Sequence, residues 1–135
     1  MPIIDHVGIA VNSLEETIGV YNRILKQEPS GYATVESEGV RVAFFGETEG
    51  RVELMEPTSD GSPVARFLKR HGPGVHHVCL AVENLEEALT NAAAGGVEPI
   101  PPAIRTGADG HRVAFLHPRE TGGVLLELAE RKTPR

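Results

Sequence analysis

The sequence predicts one α+β domain built from two tandem copies of a single module. The first observation is a repeat: residues 5–11 recur 71 positions later as residues 76–82, and a Leu-Glu-Glu follows each copy at the same spacing. The second is that Arg-Val-Ala-Phe at residues 41–44 recurs at the same offset as residues 112–115. The third is the order within each copy, where a strand pattern precedes a helical pattern and then further strands. A chain of 135 residues suits one compact domain, so the copies are expected to be its two halves.

The composition excludes several classes of function. Lys and Arg number 13 against 19 Asp and Glu, and this net charge of −6 argues against nucleic acids or anionic membranes as partners. Cys79 is the only cysteine, so no intrachain disulfide forms and a reducing compartment is expected. The sequence shows neither a signal-peptide pattern nor an apolar stretch of membrane-spanning length. We therefore expect a soluble, cytoplasmic protein.

The first module, residues 1–58, begins with a predicted strand over residues 3–11, which is rich in β-branched side chains. Alternation along this strand places His6 and Gly8 on one face and the bulky valines and isoleucine on the other. The bulky face suits packing under a helix. The small neighbours of His6 leave space in front of its imidazole.

A helix is predicted directly after this strand. Ser13 and Glu16 have the spacing of a capping box, and apolar residues recur at helical spacing as far as Leu25. Pro29 and Gly31 are expected to end the helix.

Further strand patterns complete the first module. They cover residues 40–45 and 51–55, and residues 31–35 are a candidate for one more strand. In the strand of residues 51–55, Glu53 faces away from its apolar neighbours.

A linker of residues 59–74 is expected to join the modules. It contains a predicted short helix over residues 64–71, with Ser62 as its N-cap and Gly72 beyond its end. The basic residues of this helix, including Arg66, form either a solvated face or part of a site for an anionic ligand.

The second module, residues 75–135, repeats the same order. Its first strand places His77 on a face equivalent to that of His6, whereas His76 is expected on the opposite face with a structural role. Asn84 and Glu87 are expected to start the helix, and Gly95 follows its end.

The end of the second module contains two predicted strands, over residues 112–116 and 124–128. Three prolines within residues 99–102 predict an edge or a loop before them, because proline cannot donate to a sheet ladder.

One histidine and one glutamate occupy equivalent places in the two modules. If the modules pack about a pseudo-twofold axis, His6, Glu53, His77 and Glu127 converge across one cleft. Two imidazoles and two carboxylates suit a single divalent ion with open coordination positions: cobalt first, with nickel, manganese, iron, magnesium or zinc as alternatives. A lone histidine on a strand is usually a packing residue, but an unpaired carboxylate inside an apolar strand is costly. The duplication favours all four residues together as ligands.

Other polar residues are candidates for contacts with a substrate. The turn between Gly107 and Gly110 could offer backbone N–H groups to a carboxylate or thioester oxygen. His111, Arg112 and His117 lie in or beside loops and could also bind substrate, although solvent exposure is the usual state of such residues taken singly.

These motifs resemble the vicinal oxygen chelate superfamily, whose βαβββ modules pair to surround a metal ion. Within it the chain most resembles the methylmalonyl-CoA epimerases, and the similarity runs nearly end to end. The most specific segments are the paired His76-His77 and the run HPRETGGVLLEL at residues 117–128. Residues 38–42, 52–57 and 62–68 carry the resemblance as well.

The resemblance implies a reaction and the roles of several residues. The metal ligands would be His6, Glu53, His77 and Glu127, and the reaction would be metal-dependent epimerisation of methylmalonyl-CoA at C2 through a metal-stabilised enolate. Glu127 would also act as a base. Inversion needs proton exchange on both faces of C2, and some epimerases carry a second Glu where this chain has Val42. Our hypothesis is that Glu53 takes this second catalytic role.

Two other functions stay open. A glyoxalase I-type lyase would use the same ligands, and turnover of the methylglyoxal–glutathione adduct would identify it. A metal-free small-molecule binding module of the same superfamily would need no ligands at the four positions, and elemental analysis would test for metal. The resemblance also implies a homodimer.

Overall fold

The computed structural model describes residues 2–131. Its elements in chain order are β1 (Ile3–Ala10), α1 (Leu14–Leu25), β2 (Gly31–Val35), β3 (Val40–Phe45), β4 (Arg51–Pro57), α2 (Pro63–His71), β5 (Gly74–Val82), α3 (Leu85–Ala94), β6 (Arg105–Thr106), β7 (Arg112–Leu116) and β8 (Leu126–Glu130). Single 3-10 turns lie at Glu36–Glu38 and Pro118–Glu120. No helix within residues 2–131 is both long and apolar enough to cross a lipid bilayer.

The eight strands form one sheet in the order β2-β3-β4-β1-β5-β8-β7-β6. This order is symmetric about the junction of β1 and β5, which pair antiparallel. Each of these two strands also pairs in parallel with the last strand of its own module, β4 or β8. The predicted α+β class and the pairing of two tandem modules are confirmed.

Strand register brings equivalent positions of the modules to the centre of the sheet. Gly8 lies opposite Glu53 on β4, and Cys79 on β5 lies opposite Glu127 on β8. Across the junction, Gly8 lies opposite His77. The residues predicted to form the site are therefore positioned by four adjacent central strands.

Helices cover the sheet as the alternation of apolar residues predicts. Helix α1 packs with Leu14 on Leu54 and its neighbours, and α3 packs equivalently with Leu85 on Leu128. Helix α2 lies over the other face of the first module, where Val64 contacts residues of β3 and β4. The predicted caps form: the Ser13, Ser62 and Asn84 side chains each accept a hydrogen bond from the backbone N–H three residues later.

Several boundaries differ from the predictions. Helix α1 ends at Leu25, before Pro29, because Lys26 takes a left-handed conformation with φ of 58° and closes the helix. Strand β8 starts two residues later than predicted, since Gly122 and Gly123 both have positive φ and extend the preceding turn. Strand β5 starts at Gly74, one residue before the expected module boundary. The proline-rich segment leads into β6, an edge strand of two residues, as predicted.

Candidate metal centre

Two histidines and a glutamate meet at the junction of β1 and β5. His6 Nε2 lies 3.1 Å from His77 Nε2 and 3.1 Å from Glu127 Oε1, and His77 Nε2 lies 2.9 Å from the same oxygen. All three side chains are buried. Ligands held about 2.1 Å from one ion at right angles lie about 3 Å apart, so the three atoms fit neighbouring positions around a divalent cation. This triplet is called the metal cluster below.

Gly8 provides the space that the metal cluster needs. A Cβ atom at this position would lie 2.2 Å from Cε1 of His77, well inside van der Waals contact. Only glycine therefore lets the His77 imidazole lie across β1. The equivalent position in the second module is Cys79, whose fully buried side chain lies beside His6.

A β-bulge brings Asp5 to the outer nitrogen of His6. The register of β1 against β5 shifts between Ile4 and His6, so Asp5 leaves the regular alternation. Its Oδ2 lies 2.8 Å from His6 Nδ1. A carboxylate at Nδ1 orients the ring and directs Nε2 toward the metal cluster. Strict alternation predicts the opposite face for Asp5, so the sequence alone does not reveal this contact.

A second bulge brings His76 to Nδ1 of His77. His76 therefore lies in the cleft and not on the predicted opposite face. The register shift falls between Gly8 and Ile9 of β1, opposite His76 of β5. His76 Nδ1 lies 3.0 Å from His77 Nδ1. Burial, and then the neighbouring His77, lower the pKa of His76 to about 4. A neutral His76 can accept a hydrogen bond from Nδ1–H of His77, which leaves Nε2 of His77 unprotonated.

Glu53, the fourth predicted ligand, is buried in the same cleft but faces a different group. Its Oε2 lies 3.0 Å from Arg51 Nη2 and 3.2 Å from Nδ1 of His6. Burial raises the pKa of Glu53, against the lowering effects of His6 and Arg51. The structure thus gathers three of the predicted ligands at one point and places Glu53 at the other ring nitrogen of His6.

Carboxylates surround His6 and favour a positive charge there. Burial opposes protonation of His6, but hydrogen bonds, first of all to Asp5, and the charge of Glu53 outweigh burial and raise its pKa to about 12. Burial alone would raise the pKa of Glu127, but hydrogen bonds from His6 and His77 lower it to about 2. A divalent cation would supply the positive charge that this arrangement favours.

Ion pairs hold the turn of residues 107–110 against the first module. Arg51 Nη2 lies 3.1 Å from Asp5 Oδ2 and 3.1 Å from Asp109 Oδ2. Arg131 Nε donates to Asp5 Oδ1 at 2.8 Å, and the same guanidinium contacts Asp109. These ion pairs connect the first module to the second beside the metal cluster.

Gly107 is the one member of the predicted substrate set that lies beside the metal cluster. A Cβ at Gly107 would lie 3.7 Å from Glu127 Oε2 and 3.0 Å from Val113. Its N–H donates to the carbonyl of His111 at 2.8 Å, and the N–H of Gly110 donates to the carbonyl of Gly107 at 3.0 Å. The turn itself uses these two N–H groups, and a substrate contact of this turn stays a prediction.

The other predicted substrate residues lie away from the metal cluster. His111 contacts Arg131 outside the cleft. Arg112 pairs with Glu130 beside α3, since its neighbour Val113 takes the cleft face of β7. His117 caps a 3-10 turn and accepts a hydrogen bond from the Arg119 N–H.

An apolar cleft opens in front of the metal cluster, with a volume of about 80 Å³. Its apolar walls come from both modules and from α2: Val40, Val42, Met55, Val64, Val113 and Phe115. An open groove of about 890 Å³ runs along α2 and shares Pro63 and His76 with the cleft. The groove has a largely apolar lining, and its arginine and histidine side chains are Arg66, Arg70, His71, His76 and His117.

The chain is similar to known proteins in sequence and in fold. The family model described as Glyoxalase/Bleomycin resistance protein/Dioxygenase superfamily matches residues 5–115. The uncharacterized protein YqjC of Bacillus subtilis is 40% identical over 129 residues, which cover 96% of this chain and 92% of that protein. The mitochondrial methylmalonyl-CoA epimerase of Dictyostelium discoideum is 36% identical over 129 residues, which cover 95% and 78%. A structure of Streptomyces coelicolor methylmalonyl-CoA epimerase in complex with 2-nitronate-propionyl-CoA aligns with a TM-score of 0.90 at 31% identity, covering 97% and 98%.

Proposed function

The chain belongs to the glyoxalase/bleomycin resistance protein/dioxygenase superfamily, and we propose that it interconverts the two epimers of methylmalonyl-CoA. The observation that carries the proposal is the buried metal cluster of His6, His77 and Glu127. It occurs in a chain that is similar over most of its length to proteins named methylmalonyl-CoA epimerase. Several of its relatives are named methylmalonyl-CoA epimerase, an isomerase of the racemase and epimerase class, and the chain is an enzyme of this class.

His6, His77 and Glu127, with Glu53 beside them, are the residues that would hold the divalent ion. When bound, the ion would act as a Lewis acid for the negative charge that develops on the thioester oxygen as C2 loses its proton. Asp5 orients His6 through Nδ1, and His76 fixes the tautomer of His77. The apolar walls of the cleft keep water from C2 while it is deprotonated.

Two carboxylates carry the proton transfers in this proposal. Inversion at C2 requires a proton to leave one face and another to arrive on the opposite face. Glu127 and Glu53 both line the cleft and come from different modules, which supports their assignment as the two acid/base groups. Val42 contributes only an apolar wall where some epimerases carry a glutamate.

The basic groove along α2 suits the nucleotide end of the substrate. We place the acyl group in the cleft, which shares Pro63 and His76 with the groove. Arg66 and Arg70 lie one helical turn apart and line the groove. We assign them to the phosphates of coenzyme A. His117 lines this groove, so its predicted role in substrate binding is retained here.

Label exchange with solvent tests the proposed reaction. The protein is incubated with (2R)- or (2S)-methylmalonyl-CoA in deuterated water, with and without a chelator, and C2 is followed by NMR. We expect loss of chirality and deuterium uptake at C2 from either epimer, stopped by the chelator and restored by added cobalt. Absence of uptake from both epimers, or turnover of the methylglyoxal–glutathione adduct instead, would refute the proposal.

A homodimer and a cytoplasmic location stay predictions from the resemblance and from the sequence. Light scattering on the purified protein tests the first, and a mass of one chain, 14.5 kDa, would contradict it.

A further inference from the structure

Arg131 directly follows the last strand of the second module and binds Asp5 in the first strand of the first module. Its Nε donates to Oδ1 of Asp5 at 2.8 Å, and its Nη2 donates to Oδ2 at 2.9 Å. Two parallel N–H···O bonds of this length are the bidentate pair that arginine forms with a carboxylate. The Asp5 side chain is fully buried and that of Arg131 is 11% exposed, so solvent screens the pair little.

Asp5 is also the residue that contacts the outer nitrogen of His6. Its Oδ2, which receives one of the two arginine bonds, lies 2.8 Å from His6 Nδ1. The last torsion of an aspartate side chain has a broad energy minimum, so it does not by itself fix the plane of the carboxylate. A guanidinium that holds both oxygens fixes this plane. The plane in turn sets the direction from which Oδ2 meets the His6 ring.

Arg51 also contacts Asp5, but with a single bond. Its Nη2 lies 3.1 Å from Asp5 Oδ2, 3.0 Å from Glu53 Oε2 and 3.1 Å from Asp109 Oδ2. One nitrogen is thus shared among three carboxylates and reaches one oxygen of Asp5. Because Arg131 reaches both oxygens over shorter distances, it constrains the carboxylate more tightly than Arg51 does.

The first module has a different residue at the position equivalent to Arg131. Glu53 and Glu127 are equivalent, and four positions after them the chain has Pro57 and Arg131. A proline side chain offers neither a hydrogen-bond donor nor a charge. The arginine therefore belongs to the side of the metal cluster where the histidine has a carboxylate as its neighbour.

We propose that Arg131 is a positioning residue, which fixes the carboxylate of Asp5 and thereby aims Nε2 of His6 at the metal ion. This inference rests on the metal centre of the proposed function. The second module thus aligns a ligand that belongs to the first. Since Arg131 acts through Asp5, its effect on metal affinity should not exceed the effect of Asp5 itself.

A purely structural role for Arg131 makes a different prediction. Arg131 also contacts Asp109 and so fastens the turn of residues 107–110 to the end of β8. If fastening were its whole role, substitution would lower the melting temperature and would change metal affinity by the same factor whether or not residue 5 is an aspartate.

A double-mutant cycle on cobalt affinity separates the two roles without relying on turnover. Arg131→Lys keeps the positive charge but gives up the bidentate pair, and it is measured alone and in an Asp5→Asn background by competition with a chelating dye. We expect about fivefold weaker cobalt binding from this substitution when Asp5 is present, and a change within about twofold in the Asp5→Asn background. The visible absorption spectrum of the bound cobalt should shift in the first case only, because it reports the ligand geometry.

Two further variants complete the experiment. Arg112→Lys is the matched control, because Arg112 pairs with Glu130 at the end of the same strand and away from the metal cluster, and it should leave cobalt affinity within about twofold. Melting temperatures of the metal-free proteins control for folding. If Arg131→Lys does not fold, Arg131→Gln gives the same comparison between the two backgrounds.

The outcomes distinguish this inference from the proposed function. A wild-type protein that binds no cobalt contradicts the metal centre and with it the proposed function. A wild-type protein that binds cobalt, together with an unchanged affinity in Arg131→Lys or an equal loss in both backgrounds, overturns the role of Arg131 and leaves the proposed function standing.

Discussion

Each module contributes one histidine from an equivalent strand, His6 from β1 and His77 from β5, but the two histidines have different neighbours. His6 has the carboxylate of Asp5 at its Nδ1, whereas His77 has the neutral ring of His76 there. A bulge re-aims each of these neighbours into the site. Both modules therefore share the β-bulge, but the side chain that it directs at the histidine is charged in the first module and neutral in the second.

The two glutamates differ in the same way. Glu53 pairs with Arg51, two residues earlier on its strand, whereas the residue two positions before Glu127 is Leu125. Glu127 is consequently free to contact both histidines. Charged side chains, Asp5 and Arg51, therefore support the first-module side of the metal cluster, whereas the neutral His76 and the apolar Leu125 take the equivalent positions in the second module. Such asymmetry suits a reaction in which two carboxylates act on opposite faces of one carbon.

The two glutamates give the largest expected effects and the sharpest test of this asymmetry. Glu127→Gln replaces the carboxylate that we propose as a base and changes a contact of the metal cluster, and should lower epimerisation about a thousandfold. Glu53→Gln should lower epimerisation about a hundredfold but keep metal binding and deuterium exchange from one epimer, because one base is retained. Both rates are measured by NMR from each epimer. If Glu53→Gln keeps full epimerisation and full exchange, Glu53 is not the second acid/base group.

Gly8 and Cys79 occupy equivalent positions, and alanine should affect them differently. Gly8→Ala places a Cβ on the His77 ring, displaces this proposed metal ligand and should lower turnover about a hundredfold, the loss that a misplacement of about 1 Å at an active site can cause. Cys79→Ala removes one buried sulfur and should leave turnover within about threefold, with a small loss of stability. Metal content and melting temperature are measured for both. Equal effects of the two substitutions would show that the backbone approach at Gly8 is unimportant.

The partners of the two histidines give a smaller contrast. Asp5→Asn keeps a hydrogen-bond acceptor beside His6 but loses the charge, and should weaken metal affinity about tenfold or more. His76→Asn replaces one neutral acceptor by another, and should change affinity by less than about threefold. Competition with a chelating dye measures both constants. A larger loss of metal affinity in His76→Asn than in Asp5→Asn would show that the partner of His77 matters more than the partner of His6, and would contradict this assignment.

The linker helix belongs to neither module, and its substitutions should affect substrate binding alone. Reversing the charge of both Arg66 and Arg70 to Glu should raise the KM for methylmalonyl-CoA about tenfold with kcat nearly unchanged. Lys69→Glu is the matched control, because Lys69 is exposed on the same helix outside the groove. An equal rise of KM in the control would show a general effect of net charge.

The sequence predicts much of this architecture because strand periodicity and repetition are local properties. The repeat placed His6, His77 and Glu127 on one face, and capping residues located the starts of the helices. Asp5 and His76 escaped prediction because alternation assumes a regular pleat, and two bulges interrupt it at these residues.

The other features of the site that the sequence did not predict depend on tertiary contacts. The N–H groups of Gly107 and Gly110 are consumed by their own turn, which spacing alone does not reveal. Arg131 lies 126 positions after Asp5, and only the folded sheet brings the two side chains together. Its signal in the sequence was an arginine just after a strand pattern, which is too general to assign a role.

Metal stoichiometry tests most directly whether both modules hold one ion. The wild-type protein, His6→Ala and His77→Ala are loaded with cobalt, dialysed and analysed for metal per chain, with melting temperature as the control for folding. One ion per wild-type chain, and loss of that ion in each variant, is the expected result. Two ions per chain, or a full complement that survives the loss of either histidine, would contradict a shared centre between the modules.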